Sequence, residues 1–312
     1  MSAALTVVPG EELAGAESGY LRGHGTFLGP AGSLVSALVG VVEKVDKLVS
    51  VRALHARYAG AVGDVVVGRV RAVQAKRWQV DVCSRQDAVL LLSAVNLSGG
   101  VQRRRTEEDQ LNMRGFFAED DLVSAEVHSV FADGSLSLHA RSLKYGKLEN
   151  GLLVRVPCGL MRRLKQHFVR LPCGVDAILG LNGCVWLAAA GEEEAGGEDA
   201  AAAAAAQLDA ADADAGLVEA IERRKRLAAE RDVPAEARLR LARARNSVLA
   251  LARAGLPVVP ESICAVFDAS LAAGLGEAAL LDGAAAAGPC EAARRLLRSS
   301  LSQAEAGAVE RR

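Results

Sequence analysis

The sequence predicts a mainly β chain with an α+β C-terminal part, and three observations carry that prediction. Short runs of alternating apolar and polar residues, separated by glycine turns, recur through the first 143 residues. Apolar residues at helical spacing take over beyond residue 217. Between the two lies a low-complexity tract, 189–216, with eight acidic and no basic residues, the composition of a disordered insertion.

A chain of 312 residues holds two or three small domains. Residues 1–56 read as a small all-β domain. Pro9-Gly10 is a turn, and 34–54 alternates well enough for two strands around the polar segment EKVDK. The segment LRGHGT (21–26) invites a phosphate-loop reading. Its glycines at 23, 25 and 29 miss the GxGxxG spacing and no helix pattern follows, so a tight turn is the better account.

Residues 57–143 read as an OB-fold barrel of five short strands. Its centre is 62–82, two alternating runs joined by a turn at Lys76, Arg77 and Trp78. Cations meet phosphates and an indole stacks on any base, so this tip suits a single-stranded nucleic acid. The same pattern is met by a Trp78 buried in a core or interface, with the cations merely solvated. The polar segment 98–117 adds Arg103, Arg104, Arg105 and Arg114 around an acidic trio. Three consecutive arginines cannot all pair within one helix, because neighbours i and i+1 point apart, which favours a ligand contact for at least one.

Residues 144–312 read as a KH-type α+β domain with added helices and the acidic insertion. The stretch 151–156 is a strand; 157–168 starts with proline and lines up Leu160, Leu164 and Phe168 as a helix. Strand, turn and strand follow, the turn reading GLNG. A GxxG loop in a KH domain clamps a nucleic-acid backbone. Here Gly180, Asn182 and Gly183 surround no cation and join two strands, so the turn reads as structural. Helices are expected over 217–231 and 235–254, the second burying Leu239, Ala242, Val248, Leu249 and Ala252 with its arginines opposite, then from near Pro260, aligning Ile263, Val266, Phe267 and Leu271, and from Pro289 to about residue 301.

The formal charge of −1 hides an uneven distribution: residues 141–170 hold eight basic residues and one acidic residue. A basic surface beside an acidic tract suggests an anionic partner. No apolar run approaches the roughly 20 residues of a spanning helix, so no membrane role is expected. No secretory leader is visible, which points to the cytosol or nucleus. Six scattered cysteines without CxxC spacing and five isolated histidines give no metal site, and reduced thiols are expected. Two-metal hydrolysis needs carboxylates converging on ions about 4 Å apart. The carboxylates here are consecutive or in low-complexity sequence, and no nucleophile–base arrangement stands out, so no catalytic residue, cofactor or small-molecule substrate is assigned.

Three signatures stand together: LRGHGT at 21–26, KRWQVD at 76–81 and MRGFF through LKYGKL at 113–148. With GDVVVGRV and SLHARSLKYGKL in the same order, the chain from about residue 9 to 187 resembles the RNA exosome cap subunit of the ribosomal-RNA-processing-four type. The acidic insertion and the alanine-rich C-terminal third depart from that pattern. The resemblance implies a non-catalytic RNA-binding cap that sits, with two related caps, on a ring of ribonuclease-PH-like subunits. It would help assemble the ring and guide RNA into its channel for 3′–5′ processing and decay, including ribosomal RNA maturation, in nucleus, nucleolus and cytoplasm. The N-terminal domain would anchor to the ring, the barrel would face the RNA path, and the KH-type domain would brace the periphery, its GxNG turn packing on the barrel. Lys76, Arg77, Arg103, Arg104, Arg105, Arg114, Lys144 and Lys147 would then contact phosphates and Trp78 a base. The alternative is a free-standing RNA-binding protein of translation or ribosome assembly.

Overall fold

A computed structural model of the chain describes residues 6–15, 19–30, 32–54, 56–95, 107–142, 144–190 and 232–309. The chain forms two compact units, Met1–Ala56 and Arg57–Arg312. Among the described residues no helix is long and apolar enough to cross a membrane.

The first unit is built from β1 (Thr6–Val7), β2 (Glu12–Ala14), β3 (Leu21–Arg22), β4 (Thr26–Leu28), β5 (Leu34–Ser36), β6 (Gly40–Val45) and β7 (Leu48–Ala53). They form one sheet in the order β1-β6-β7-β3 and another in the order β2-β5-β4. Residues 34–54 thus make three strands where alternation suggested two. β5 pairs with β2 and β4, and the chain bends before β6 to join the other sheet. The LRGHGT segment is a turn between β3 and β4: Gly25 has φ 72°, and a β-carbon there would lie 2.5 Å from the Val51 carbonyl oxygen.

The second unit begins with a closed barrel. Its strands are β8 (Val65–Val73), β9 (Arg77–Asp81), β10 (Ala88–Val95), β11 (Leu122–Val130) and β12 (Leu136–Ala140). β8 pairs with β9, β9 with β10, β10 with β12, β12 with β11 and β11 with β8; only β10–β12 is parallel. Period-two alternation sends Val66, Val70, Trp78, Val80, Leu90, Val123, Val127, Leu136 and Leu138 inward. Two short helices, α1 (Glu107–Leu111) and α2 (Met113–Phe116), lie between β10 and β11, and Met113 and Phe117 join this core. Strand β13 (Gly146–Leu148) pairs with the start of β11 as the chain leaves the barrel.

The remainder is a four-stranded antiparallel sheet covered by helices. Strands β14 (Gly151–Arg155), β15 (Phe168–Leu171), β16 (Val175–Leu179) and β17 (Cys184–Ala189) lie in the order β14-β17-β16-β15. On one face Val154, Leu179, Val185 and Leu187 pack against α3 (Ala235–Arg253), α4 (Pro260–Ala272) and α5 (Gly283–Val309). Alternation turns Cys184 and Trp186 of β17 to the other face, where they pack with Val67 of the barrel.

Three helical expectations are corrected. Residues 157–168 do not form a helix; only Cys158–Leu160 makes a 3-10 turn, and β15 starts at Phe168. Met161 bridges to Val258, and the Leu160 carbonyl accepts from the Val258 N–H at 2.9 Å, so long-range pairing takes backbone groups a helix would use. Phe168 packs against Tyr145 instead, ring centroids 5.6 Å apart. In α3 the buried stripe is Leu241, Ala244, Val248 and Leu251, whereas Leu239 is exposed. The phase is fixed by Arg243, which is buried and donates to Ser270 Oγ (3.0 Å), the Leu275 carbonyl (2.8 Å) and Glu277 Oε1 (2.7 Å). Helix α5 starts before Pro289, at Gly283. Ala189 still belongs to β17, paired with Val175. The rest of the predicted insertion from residue 191, and the predicted helix 217–231, lie outside the described residues.

Candidate nucleic-acid interface

Trp78 is not at the tip of the hairpin. Strand β9 already begins at Arg77, so alternation points Arg77 outward and Trp78 inward. The indole is fully buried. Its N–H donates to the Phe117 carbonyl at 2.9 Å, and its ring meets Phe117 edge-on at 5.1 Å. A base cannot stack on it while the barrel is intact, so the base-stacking role expected of Trp78 does not hold. The parity was readable: Trp78, Val80 and Val82 share one face, with Arg77, Gln79 and Asp81 on the other.

The turn itself, residues 74–76, is held by the Gln74 N–H donating to the Arg77 carbonyl (2.9 Å) and the Leu92 N–H donating to the Lys76 carbonyl (3.1 Å). Lys76 and Arg77 are exposed, and among the described residues neither joins an ion pair; Arg77 Nε bonds Gln74 Oε1. β10 runs antiparallel to β9 with Leu91 opposite Arg77, so it delivers the chain at Val95 to the same barrel end. The connection carrying Arg103, Arg104 and Arg105 starts there, although those arginines lie outside the described residues. β11 starts at this end too, since Asp120 N–H donates to the Val70 carbonyl and Leu122 stands opposite Arg69.

The other expected cations are engaged. Arg114 forms a forked pair with Glu119, 2.8 Å at the closest, and that pair holds the Glu119 carboxyl below its usual range. Lys147 lies 2.7 Å from Glu149 and 3.3 Å from Asp121, and Glu149 first, then Asp121, raises its ammonium. Lys144 lies over the Tyr145 ring, 5.3 Å from its centroid. Nearby, Asp120 faces Arg69 at 3.7 Å, and Arg71 lies between Asp81 and Asp87. A cation between carboxylates attracts a phosphate less than an isolated one. Of the expected cations among the described residues, those of the 76–77 turn are therefore the ones open to a phosphate.

The GLNG turn meets the barrel directly. Asn182 is 3% exposed. Its amide N–H groups donate to the Val67 carbonyl (2.8 Å) and the Val82 carbonyl (3.1 Å), while its Oδ1 accepts from the Val67 N–H (3.4 Å). The β8–β9 ladder stops at Arg69 opposite Asp81, and the carboxamide supplies the next rung in place of a strand. Leu181 N–H adds a bond to the Val65 carbonyl at 2.9 Å. Gly183 has φ 82°, and a side chain there would collide with the Val156 carbonyl. Gly180 is packed so tightly that a β-carbon would lie 2.6 Å from Asn182 Oδ1.

A second tie between barrel and sheet was not visible in sequence. Buried Asp64 accepts from the Tyr58 hydroxyl (2.7 Å), the Ala61 N–H (3.0 Å) and the Arg163 guanidinium. Burial, and then the bond to Asp64, push the Tyr58 hydroxyl far above its usual range. His167 is a core residue, its ring Nδ1 2.8 Å from the Leu179 carbonyl. Arg163 falls in the segment read as a helix, so its partner 99 positions away left no local signal.

Three family models match in order: the exosome complex exonuclease RRP4 N-terminal region over residues 6–45, the RRP4 S1 domain over 57–129 and a KH domain over 151–192. The chain is 55% identical over 181 residues to the mouse protein named exosome complex component RRP4, covering 58% of this chain and 61% of that one. It is 47% identical over 186 residues to the Schizosaccharomyces pombe protein of that name, 60% and 56% covered. The Arabidopsis thaliana homologue is 52% identical over 172 residues, 55% and 53% covered. The chain thus spans somewhat over half the length of these curated relatives. In its N-terminal region, S1 barrel and KH domain the chain is similar, segment by segment and in the same order, to the proteins named exosome complex component RRP4.

Proposed function

We propose that the chain is a non-catalytic, RNA-binding cap subunit of the RNA exosome that helps assemble the ring and leads RNA into its channel for 3′–5′ processing and decay. The relatives are named as exosome components, and the S1 barrel and KH domain are of RNA-binding type. The observation that carries the reading is the barrel end. There the exposed Lys76–Arg77 turn, the strand leading to Arg103–Arg105 and the start of β11 come together. Binding through phosphates is sequence-tolerant and salt-sensitive, which suits a complex that accepts many RNAs. Although one matched model carries the word exonuclease, the carboxylates at this end are committed to structure. Glu119 pairs with Arg114, Asp120 with Arg69, and Asp121 with Lys147 and the Ala118 N–H.

Ring subunits of ribonuclease-PH type and two related caps are the partners, and nucleus, nucleolus and cytoplasm are the compartments. The GLNG turn serves the barrel, and the KH domain acts as a brace. The test is affinity purification of the tagged full chain, with mass spectrometry and ultraviolet crosslinking to RNA. Recovery of a ring complex with crosslinks at 76–77 supports the proposal. RNA crosslinks without ring subunits replace it with a free-standing RNA-binding protein, and RNA cleavage by the purified chain overturns it.

A further inference from the structure

The cysteines among the described residues are all free thiols, and two of them face each other across the junction between barrel and KH sheet. The sulfurs of Cys83 and Cys184 are 3.9 Å apart, although 101 positions separate the residues in sequence. Each adjoins the Asn182 clamp: Val82, before Cys83, accepts the Asn182 amide, and the Cys184 N–H points at Asn182 Oδ1. Both backbones are therefore fixed relative to one another. Cys83 also has φ 60°, the left-handed region in which a β-carbon is strained, and its N–H donates to Asp81 Oδ1 at 2.9 Å. Cys184 is buried against Val67 and Trp186, while Cys83 is half-exposed and reachable by a small molecule.

The surroundings give the two sulfurs different chemistry. The Cys184 bond first, then the charges of Arg155 and Arg71, outweigh burial and Asp81 and lower the Cys83 thiol to about 6. The bond to Cys83 and burial push the Cys184 thiol well up. A lowered, half-exposed thiol in contact with a raised, buried one is the arrangement of a nucleophile beside its resolving partner. Cys173 and Cys264 are both raised, chiefly by burial, which disfavours the same reaction there.

The geometry points to a reversible disulfide between Cys83 and Cys184, formed by a hydroperoxide, that staples the barrel to the KH sheet. The Cys83 thiolate attacks the terminal peroxide oxygen and the O–O bond breaks. The other oxygen leaves as an alcohol, or as water from hydrogen peroxide, after taking a proton. Cys83 has then lost two electrons and is a sulfenic acid. The Cys184 sulfur attacks that sulfur, the hydroxyl departs with the Cys184 proton as water, and the S–S bond forms. Two thiols and one hydroperoxide give one disulfide, one alcohol and one water. The sulfurs close to about 2.05 Å by rotation of the half-exposed Cys83 side chain, and a dithiol reverses the bond by returning two electrons.

The experiment treats the reduced full-length chain with hydrogen peroxide, alkylates the remaining thiols and maps peptides without reduction. A Cys83–Cys184 linked peptide in the monomer, lost on dithiothreitol treatment and absent from Cys83→Ser and Cys184→Ser chains, is expected. The oxidised wild type should melt on the order of 5 °C above the reduced one, because the bond closes a long loop. Cys83→Ser should show no such rise. Recovery of Cys83 and Cys184 as separate alkylated or sulfinic peptides, their pairing with other cysteines or between chains, or a lower melting point on oxidation would each overturn the inference. The peptide map is made on the wild-type chain, so it decides the question even if a serine variant folds poorly.

Discussion

Replacing Asn182 by alanine isolates the tie between the KH sheet and the barrel. The carboxamide donates to two carbonyls, Val67 and Val82, and faces the Val67 N–H, all from a position 3% exposed. Each lost bond removes about 1 kcal/mol net, and a buried acceptor left without a donor costs about 1–3 kcal/mol. Some relaxation toward water is available at a domain junction, so the expected loss is roughly 2–4 kcal/mol. For a unit of this size that lowers the melting midpoint by on the order of 10 °C. Asn182→Asp keeps the acceptor oxygen but sets a carboxylate against two carbonyls, so its loss should be at least as large. Thermal melts of the full-length chain measure both, and fluorescence anisotropy with a labelled single-stranded RNA, taken well below the transition, reads the binding. The folded Asn182→Ala chain should bind RNA as the wild type does. A midpoint within about 1 °C of wild type, or intact stability with weakened RNA affinity, would refute the clamp.

Four further outcomes follow from the same geometry. Trp78→Phe loses the bond to Phe117 and core volume, so stability should fall by about 1–3 kcal/mol while the folded chain keeps its RNA affinity; the opposite pattern would restore Trp78 as a stacking residue. Lys76→Ala with Arg77→Ala should weaken RNA binding and reduce the slope of log affinity against log salt by about 1–2, with little change in a urea melt. Arg163→Ala should cost about 1–2 kcal/mol, and a double-mutant cycle with Asp64→Asn should show coupling between the two sites. Burial lowers His139 below its ordinary 6.5, with the charges of His128, Arg141 and Lys144 adding to that and Glu126 opposing it. The folded state then binds fewer protons than the unfolded one, so this contribution to stability is full above 6.5 and lost as pH falls below it. A His139→Asn chain should show a flatter midpoint between about pH 7 and 5.5, and an unchanged slope would count against the burial argument.

The barrel was legible because its strands are long and alternate cleanly; β8 to β12 fall where the sequence places them, and the GLNG turn, without a cation, reads as structural from its own residues. Trp78 was misplaced for a local reason. A basic pair beside an indole resembles a tip, yet the strand starts one residue earlier and parity alone decides the face. The segment 157–168 failed differently: its apolar spacing fits a helix, but its backbone is claimed by Val258 and one of its charged side chains, Arg163, by Asp64. Arg243 misled in the same way, since an arginine in a helix reads as solvent-facing until Ser270 and Glu277 arrive from elsewhere in the fold. The pairing of Arg114 with Glu119 lay within five positions and was open to inspection; that of Lys147 with Asp121 needed β13 beside β11.

The borrowed rung at Val67 ties the fate of one module to the other during synthesis. Val67 leaves the ribosome 115 residues ahead of Asn182, so the nascent barrel must carry an unfinished strand edge until the turn is made. Water fills the place until the turn docks, and a fragment that stops short of residue 182 keeps the wet edge permanently. Such a fragment is a poor stand-in for the whole chain in any binding measurement, because it offers a sticky main-chain surface that the finished molecule does not possess.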